Sequence, residues 1–133
     1  MGSFTGKVVI ITGASAGIGR ASALSLAAEG AKIVLADINE AGLLATQQLI
    51  EDAGGESISV ITDVANQDAC NNMVAAAVEA YGQLDIIFNN AGISGDRVLL
   101  ADTPNEMWDK VIAVNLTGVF NCTKAALPEM VKN

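Results

Sequence analysis

Ahead of a helical pattern the chain reads "TGASAGIG", with glycines at positions 13, 17 and 19. Each can supply something a side chain would block. Gly13 permits a sharp turn off a strand, Gly17 lets the backbone approach a pyrophosphate, and Gly19 lets a helix pack close to a sheet. The N–H groups at the helix start then face an anion. This is not the GxGxxG spacing, although the physics is shared, and many strand-to-helix turns use glycine for geometry alone. Asp37 adds weight, because it ends the next apolar run, where a carboxylate can accept both ribose hydroxyls of NAD. Its plainer use would be to help start the following helix, for which Asn39 is the better cap. A 2'-phosphate there would meet the Asp37 charge, and neither Ala16 nor Ile38 offers a cation, so NAD is preferred over NADP. Arg20, in the first helical turn, can equally point to solvent and does not alter that preference.

Other chemistry is sparse. Cys70 and Cys122 stand apart in apolar helical contexts, with no CxxC spacing and no histidine in the chain, so neither a metal site nor a Cys–His nucleophile can be assembled. They read as two reduced core cysteines of a cytoplasmic protein.

The elements that must position the loop and Asp37 follow from periodicity. "KVVIIT", 7–12, is a continuous β-branched run and predicts a strand buried on both faces. A helix over 17–29 follows, then strand 31–37, helix 40–53, strand 56–62 with Ile58 and Val60 on one face, helix 67–81 and strand 84–89. Four strands alternating with three helices imply an α/β fold with a doubly wound parallel sheet of the Rossmann type, in a single domain over 1–133. After a loop-like "ISGDRVLLADT", Thr103 can cap a helix, Pro104 fits its first position, and Glu106 completes a capping box. An apolar stripe then runs through Met107, Trp108, Val111 and Ile112 and on past Leu116 and Phe120. Trp108, Phe120, Leu127 and Met130 read as core or subunit-contact residues.

Composition agrees and narrows the partners. The chain has 133 residues, a formal net charge of -8 and only 4% aromatics. The negative charge repels nucleic acid and anionic membrane surfaces. The starting apolar run is too short for a signal-peptide core, and the stretch 107–131 carries too many charged and amide side chains for a membrane span. Nucleic acid and membrane are therefore not expected partners.

Taken together, these motifs resemble the short-chain dehydrogenase/reductase family. "TGASAGIG" looks like its cofactor loop, "NNAG" at 89–92 like its signature after the fourth strand, "DV" at Asp63 and Val64 like the pair that meets the adenine ring, and Asn115 in "VNLTG" like its catalytic asparagine. The resemblance implies that Ser15 and Ile18 line the pyrophosphate, that Asp63 bonds the adenine amino group, and that Asn90, Ala91 and Gly92 flank the nicotinamide ribose. It also implies hydride transfer between the nicotinamide and a small alcohol or ketone. In that chemistry a tyrosine is the general acid/base, a lysine lowers its pKa, a serine binds the carbonyl oxygen, and the asparagine holds a water.

Here the sequence departs from the family. The only tyrosine is Tyr81, and the residue four further on is Asp85, so no Tyr-x-x-x-Lys is present. The helical pattern is still under way in "NCTKAALPEMVKN", so the chain is expected to stop before a fifth strand, an amino-terminal portion that binds cofactor without the full catalytic set. The alternative is a non-catalytic nucleotide-binding or interaction module. In the family the helix resembling 116–131 makes subunit contacts, so a homo-oligomer is expected.

Overall fold

Val8–Thr12 forms β1, and all of it is buried. Its alternate side chains feed two separate cores. Val8 and Ile10 pack with Met73, Leu84, Cys122 and Ala126 on one face, and Val9 and Ile11 pack with Ala23, Leu43 and Ile50 on the other. That two-sided burial is why the run is continuously apolar, and each such Val or Ile gains about 1.5–3 kcal/mol on burial.

The computed structural model describes residues 2–133. After β1 come α1 (Gly17–Ala28), β2 (Lys32–Asp37), α2 (Glu40–Asp52), β3 (Glu56–Ile61), α3 (Gln67–Tyr81), β4 (Ile86–Phe88), α4 (Asn105–Ile112) and α5 (Gly118–Met130). The sheet is parallel throughout, in the order β3-β2-β1-β4. The chain steps outward from β1 to β3 and then crosses to the other side of β1. The resulting switch point lies between β1 and β4, where doubly wound sheets open a crevice at the carboxyl ends of their strands. Asn39 caps α2 by accepting from Gly42 N, and Asn66 caps α3 by accepting from Ala69 N. No side chain caps α1.

Three expectations fail, at least in part. The strand predicted over 84–89 shrinks to Ile86–Phe88. Asp85 N donates to Val8 O at 3.0 Å while its carboxylate accepts the Val8 N–H at 2.8 Å, and Asn90 N bonds back to Phe88 O, so side-chain and turn bonds take over at the ends of the strand. The capping box does not form. Thr103 Oγ1 donates backward to Leu99 O at 3.1 Å, closing a 3₁₀ turn over Leu100–Asp102, and Pro104 takes the cap position of α4 without a side-chain bond. The apolar stripe does not follow one regular helix, and of the two readings for its large residues, core or subunit contact, the first fails for three of the four. A π-helical segment, Ala113–Thr117, separates α4 from α5, and Trp108, Phe120 and Leu127 are exposed while only Met130 packs on the core.

Tyr81 closes α3 with its hydroxyl oxygen buried and unpartnered. Burial first, and the Glu56 charge second, push its pKa from 10.0 up to about 12. Replacing it with phenylalanine is expected to keep or raise stability at neutral pH, since an unpaired buried hydroxyl costs about 1–3 kcal/mol. In alkali the folded chain holds this proton longer than the unfolded chain, so stability falls as the pH rises from 10 toward 12. Urea midpoints across that range should show a shallower fall for Tyr81→Phe, the remainder coming from Cys122, whose thiol burial also pushes up to about 12, and from Cys70, whose thiol burial also pushes up.

Candidate functional site

The phosphate-type loop is built by close backbone approach. Gly13 has φ +68 and Gly17 has φ +57, both in the left-handed region open to glycine. A Cβ on Gly19 would collide with the Gly13 carbonyl oxygen and come within 2.8 Å of Asn90 Nδ2. A Cβ on Gly17 would meet nothing within 4 Å. Gly19 is therefore required by packing, whereas Gly17 leaves clear space above the uncapped N–H groups of α1. This is the cradle a pyrophosphate needs.

Thr12, at the end of β1, ties the loop to β4. Its buried hydroxyl accepts from Asn90 N and Ala91 N, each at 3.0 Å, and donates to Phe88 O at 3.4 Å. The Asn90 amide in turn donates to the carbonyls of Thr12 at 3.2 Å and Gly13 at 3.3 Å. The Asn90 side chain is thus occupied with holding the turn.

Arg20 turns inward. Its guanidinium donates to Ser15 O at 2.6 Å, Thr46 Oγ1 at 2.9 Å and Gly42 O at 3.3 Å, and Thr46 Oγ1 donates to Ala14 O at 2.8 Å. These bonds fasten Ala14 and the nearly buried Ser15 to α2, while Ala16 and Ile18 stay exposed on the outer side of the turn. The Asp37 carboxylate accepts from Ser15 N at 3.3 Å and Asn39 N at 3.0 Å. Two fixed donors orient it at the end of β2.

A cleft of about 460 Å³ opens beside these groups. Gly13, Asp37, Ile38, Asp63, Val64, Ala91 and Gly92 all line it, joined by Thr62, Ala65, Ile93, Lys110, Ala113 and Val114. Asp63 is exposed and accepts from Ala65 N at 3.0 Å, which fixes its carboxylate at the rim. Val64 O accepts from the buried Asn121 Nδ2 at 2.9 Å, and a Cβ on Gly118 would come within 2.6 Å of Val64 Cγ2. The floor of the cleft is pinned to α5. Ser15, Ala16, Gly17, Ile18, Gly19 and Asn90 belong to the adjoining turn rather than to this wall.

Asn115 sits in the π segment, with its side chain paired to one backbone unit. Oδ1 accepts from Ile93 N at 2.8 Å and Nδ2 donates to Ile93 O at 2.7 Å. This holds the segment after Gly92 against the helix, and it gives the π segment between α4 and α5 a tertiary contact. Periodicity alone missed Thr12, Thr46 and Lys110. A lone threonine closing an apolar strand, and another inside a helix, are the signals that could have found the first two.

An all-parallel sheet, a left-handed glycine turn under an uncapped helix and an acid at the next strand end define a dinucleotide-binding α/β protein. The chain belongs to the short chain dehydrogenase family, whose pattern it matches over residues 7–133. It is 40% identical to the short chain dehydrogenase/reductase astE of Aspergillus oryzae, over 98% of this chain and 50% of that protein. It is 41% identical to the 3-oxoacyl-(acyl-carrier-protein) reductase FabG of Thermotoga maritima, over 96% of this chain and 51% of that one. Among solved structures, NAD+-bound xylitol dehydrogenase superposes with a TM-score of 0.94 at 36% identity, covering 98% of this chain and 50% of that one. A metagenomic short-chain oxidoreductase in complex with NADP superposes with a TM-score of 0.92 at 35% identity, covering 98% and 59%. The chain spans about half the length of the curated relatives it matches. Among the described residues, no helix is long and apolar enough to cross a membrane, and no group of three potential metal ligands comes together.

Proposed function

We propose that residues 1–133 form the NAD-binding domain of an oxidoreductase that exchanges hydride between nicotinamide and a small alcohol or ketone. The observation that carries this reading is the Asp37 carboxylate, held by Ser15 N and Asn39 N at the mouth of the cleft. A fixed anion there accepts the two ribose hydroxyls of NAD and repels the added phosphate of NADP. Arg20, the nearest cation in sequence, is engaged with the loop carbonyls and Thr46. The pyrophosphate would lie along Ser15, Gly17 and Ile18 at the α1 start, and the adenine between Asp63, Val64 and Ile38. Backbone around Ala91 and Gly92 would flank the second ribose.

When bound, the nicotinamide supplies or takes up the hydride. This chain's residues bind and orient it, and Asn115 shapes the backbone after Gly92 through Ile93. Tyr81 does not serve as the general acid/base, because it ends α3 with its hydroxyl buried and does not line the cleft, and burial raises its pKa, opposite to what neutral-pH catalysis needs. Binding without turnover is therefore expected of these residues alone. Exposed Trp108, Leu116, Phe120 and Leu127 on α4 through α5 favour a homo-oligomer, and two free cysteines suit the cytoplasm.

NADH and NADPH fluorescence titrations test the reading. The chain should bind NADH more tightly, and Asp37→Ala should weaken NADH by about 10-fold or more, the worth of a hydrogen bond to a charged group. The same change should narrow or reverse the preference against NADPH. Equal affinities in the unaltered chain would refute the NAD assignment.

A further inference from the structure

Cys70 on α3 and Cys122 on α5 bring their sulfurs to 3.6 Å from each other inside the core. The two are 0% and 1% exposed, respectively, and they are the only cysteines in the chain. A small apolar role would explain their burial. It would not explain why the two thiols face one another across a helix pair. We propose that Cys70 and Cys122 form a disulfide-forming site, closed by a hydroperoxide, that ties α3 to α5 beneath the Val64 side of the cleft.

The geometry is close to what the bond needs. Sulfurs in a disulfide stand about 2.05 Å apart, so these must approach by roughly 1.5 Å, within reach of χ1 rotation and a small shift of the helices. The chemistry balances with the hydroperoxide as oxidant. One thiol gives up its proton and its sulfur attacks the peroxide, breaking the O–O bond. A sulfenic acid forms, and the alcohol, or water from hydrogen peroxide, departs with the proton. The second sulfur then attacks the sulfenic sulfur, the S–O bond breaks, and the hydroxyl leaves as water with the second thiol proton. Two thiols lose two electrons, and the peroxide is reduced by two.

Both thiol pKa values are raised, chiefly by burial, so thiolate is scarce, and the oxidant must enter through a local opening of the helices. Closure is therefore slow and cumulative. It also reaches the cleft, because Cys70 Sγ donates to Val64 O at 3.5 Å, alongside the bond from Asn121. A disulfide has no S–H, so oxidation removes one of the two donors that fix the cleft floor. A cross-link between residues 52 apart should also restrict the unfolded chain and raise the melting temperature.

The test uses the whole chain in native buffer with hydrogen peroxide, then denaturation in N-ethylmaleimide and intact-mass measurement. The expected product is a monomer about 2 Da lighter, the two hydrogens lost per disulfide, with no alkylation. It should yield a peptide joining Cys70 to Cys122, melt higher than the reduced chain, and revert with dithiothreitol. Cys122→Ser should show no such loss from the monomer. Thiols that stay fully alkylatable, conversion to sulfinic acids, or disulfides only between chains would each overturn the proposal. The covalent readout is taken on the unaltered chain, so it depends neither on a variant folding nor on which nucleotide the cleft binds.

Discussion

Gly19→Ala is expected to destabilise the chain by about 2–4 kcal/mol, an overpacking cost with broken hydrogen bonds added to it. The new methyl would press on the Gly13 carbonyl and on Asn90 Nδ2. That amide is already bonded to the Thr12 and Gly13 carbonyls, so it cannot retreat without releasing the turn. Either α1 moves off the sheet or Asn90 lets go of the loop. Gly17→Ala provides the contrast. Its φ of +57 makes alanine strained, but its Cβ would meet nothing within 4 Å, so the stability cost should be only about 1–2 kcal/mol. That methyl stands where the backbone must approach a pyrophosphate, so Gly17→Ala should lose NADH affinity out of proportion to its stability. Urea denaturation and NADH titration on the two variants separate the effects. Equal stability loss in both would undo the distinction between a packing glycine and a binding glycine.

The parts legible in the sequence are those whose cause is local. The run at 8–12 reads as a two-sided strand because both cores draw on it, and the cap at Asn39 is settled within a few residues. Thr103 misled because two short-range uses competed for one hydroxyl. The preceding 3₁₀ turn took it. The π segment at Asn115 has no local signal, and its contact is with Ile93, across the cleft. Arg20 likewise looked free to face solvent, and its inward bonds exist only once α2 lies beside α1. A helical apolar stripe reports that a face will be covered, not by what. Trp108, Phe120 and Leu127 therefore fit the pattern of a core while standing open here.

Thr12→Val should cost about 1–3 kcal/mol, because it leaves the Ala91 N–H without its acceptor, while Asn90 N keeps its bond to Phe88 O. Valine keeps the volume and the strand preference of threonine, so the loss isolates the hydroxyl. Thr12 is 1% exposed, and its hydroxyl oxygen accepts from both Asn90 N and Ala91 N at 3.0 Å. Against the 5–15 kcal/mol that typically holds a domain together, the loss is large for a single atom. Thr12→Ser retains the oxygen and gives up one methyl, so it should cost only about 1 kcal/mol. Hydrogen exchange at the Ala91 amide should accelerate in the valine variant far more than in the serine variant. The affected turn carries Ala91 and Gly92 into the cleft, so NADH binding should weaken in the same order. A valine variant with an unchanged urea midpoint would mean that water reaches the Ala91 amide, and that the Thr12 hydroxyl adds little to the join between β1 and β4.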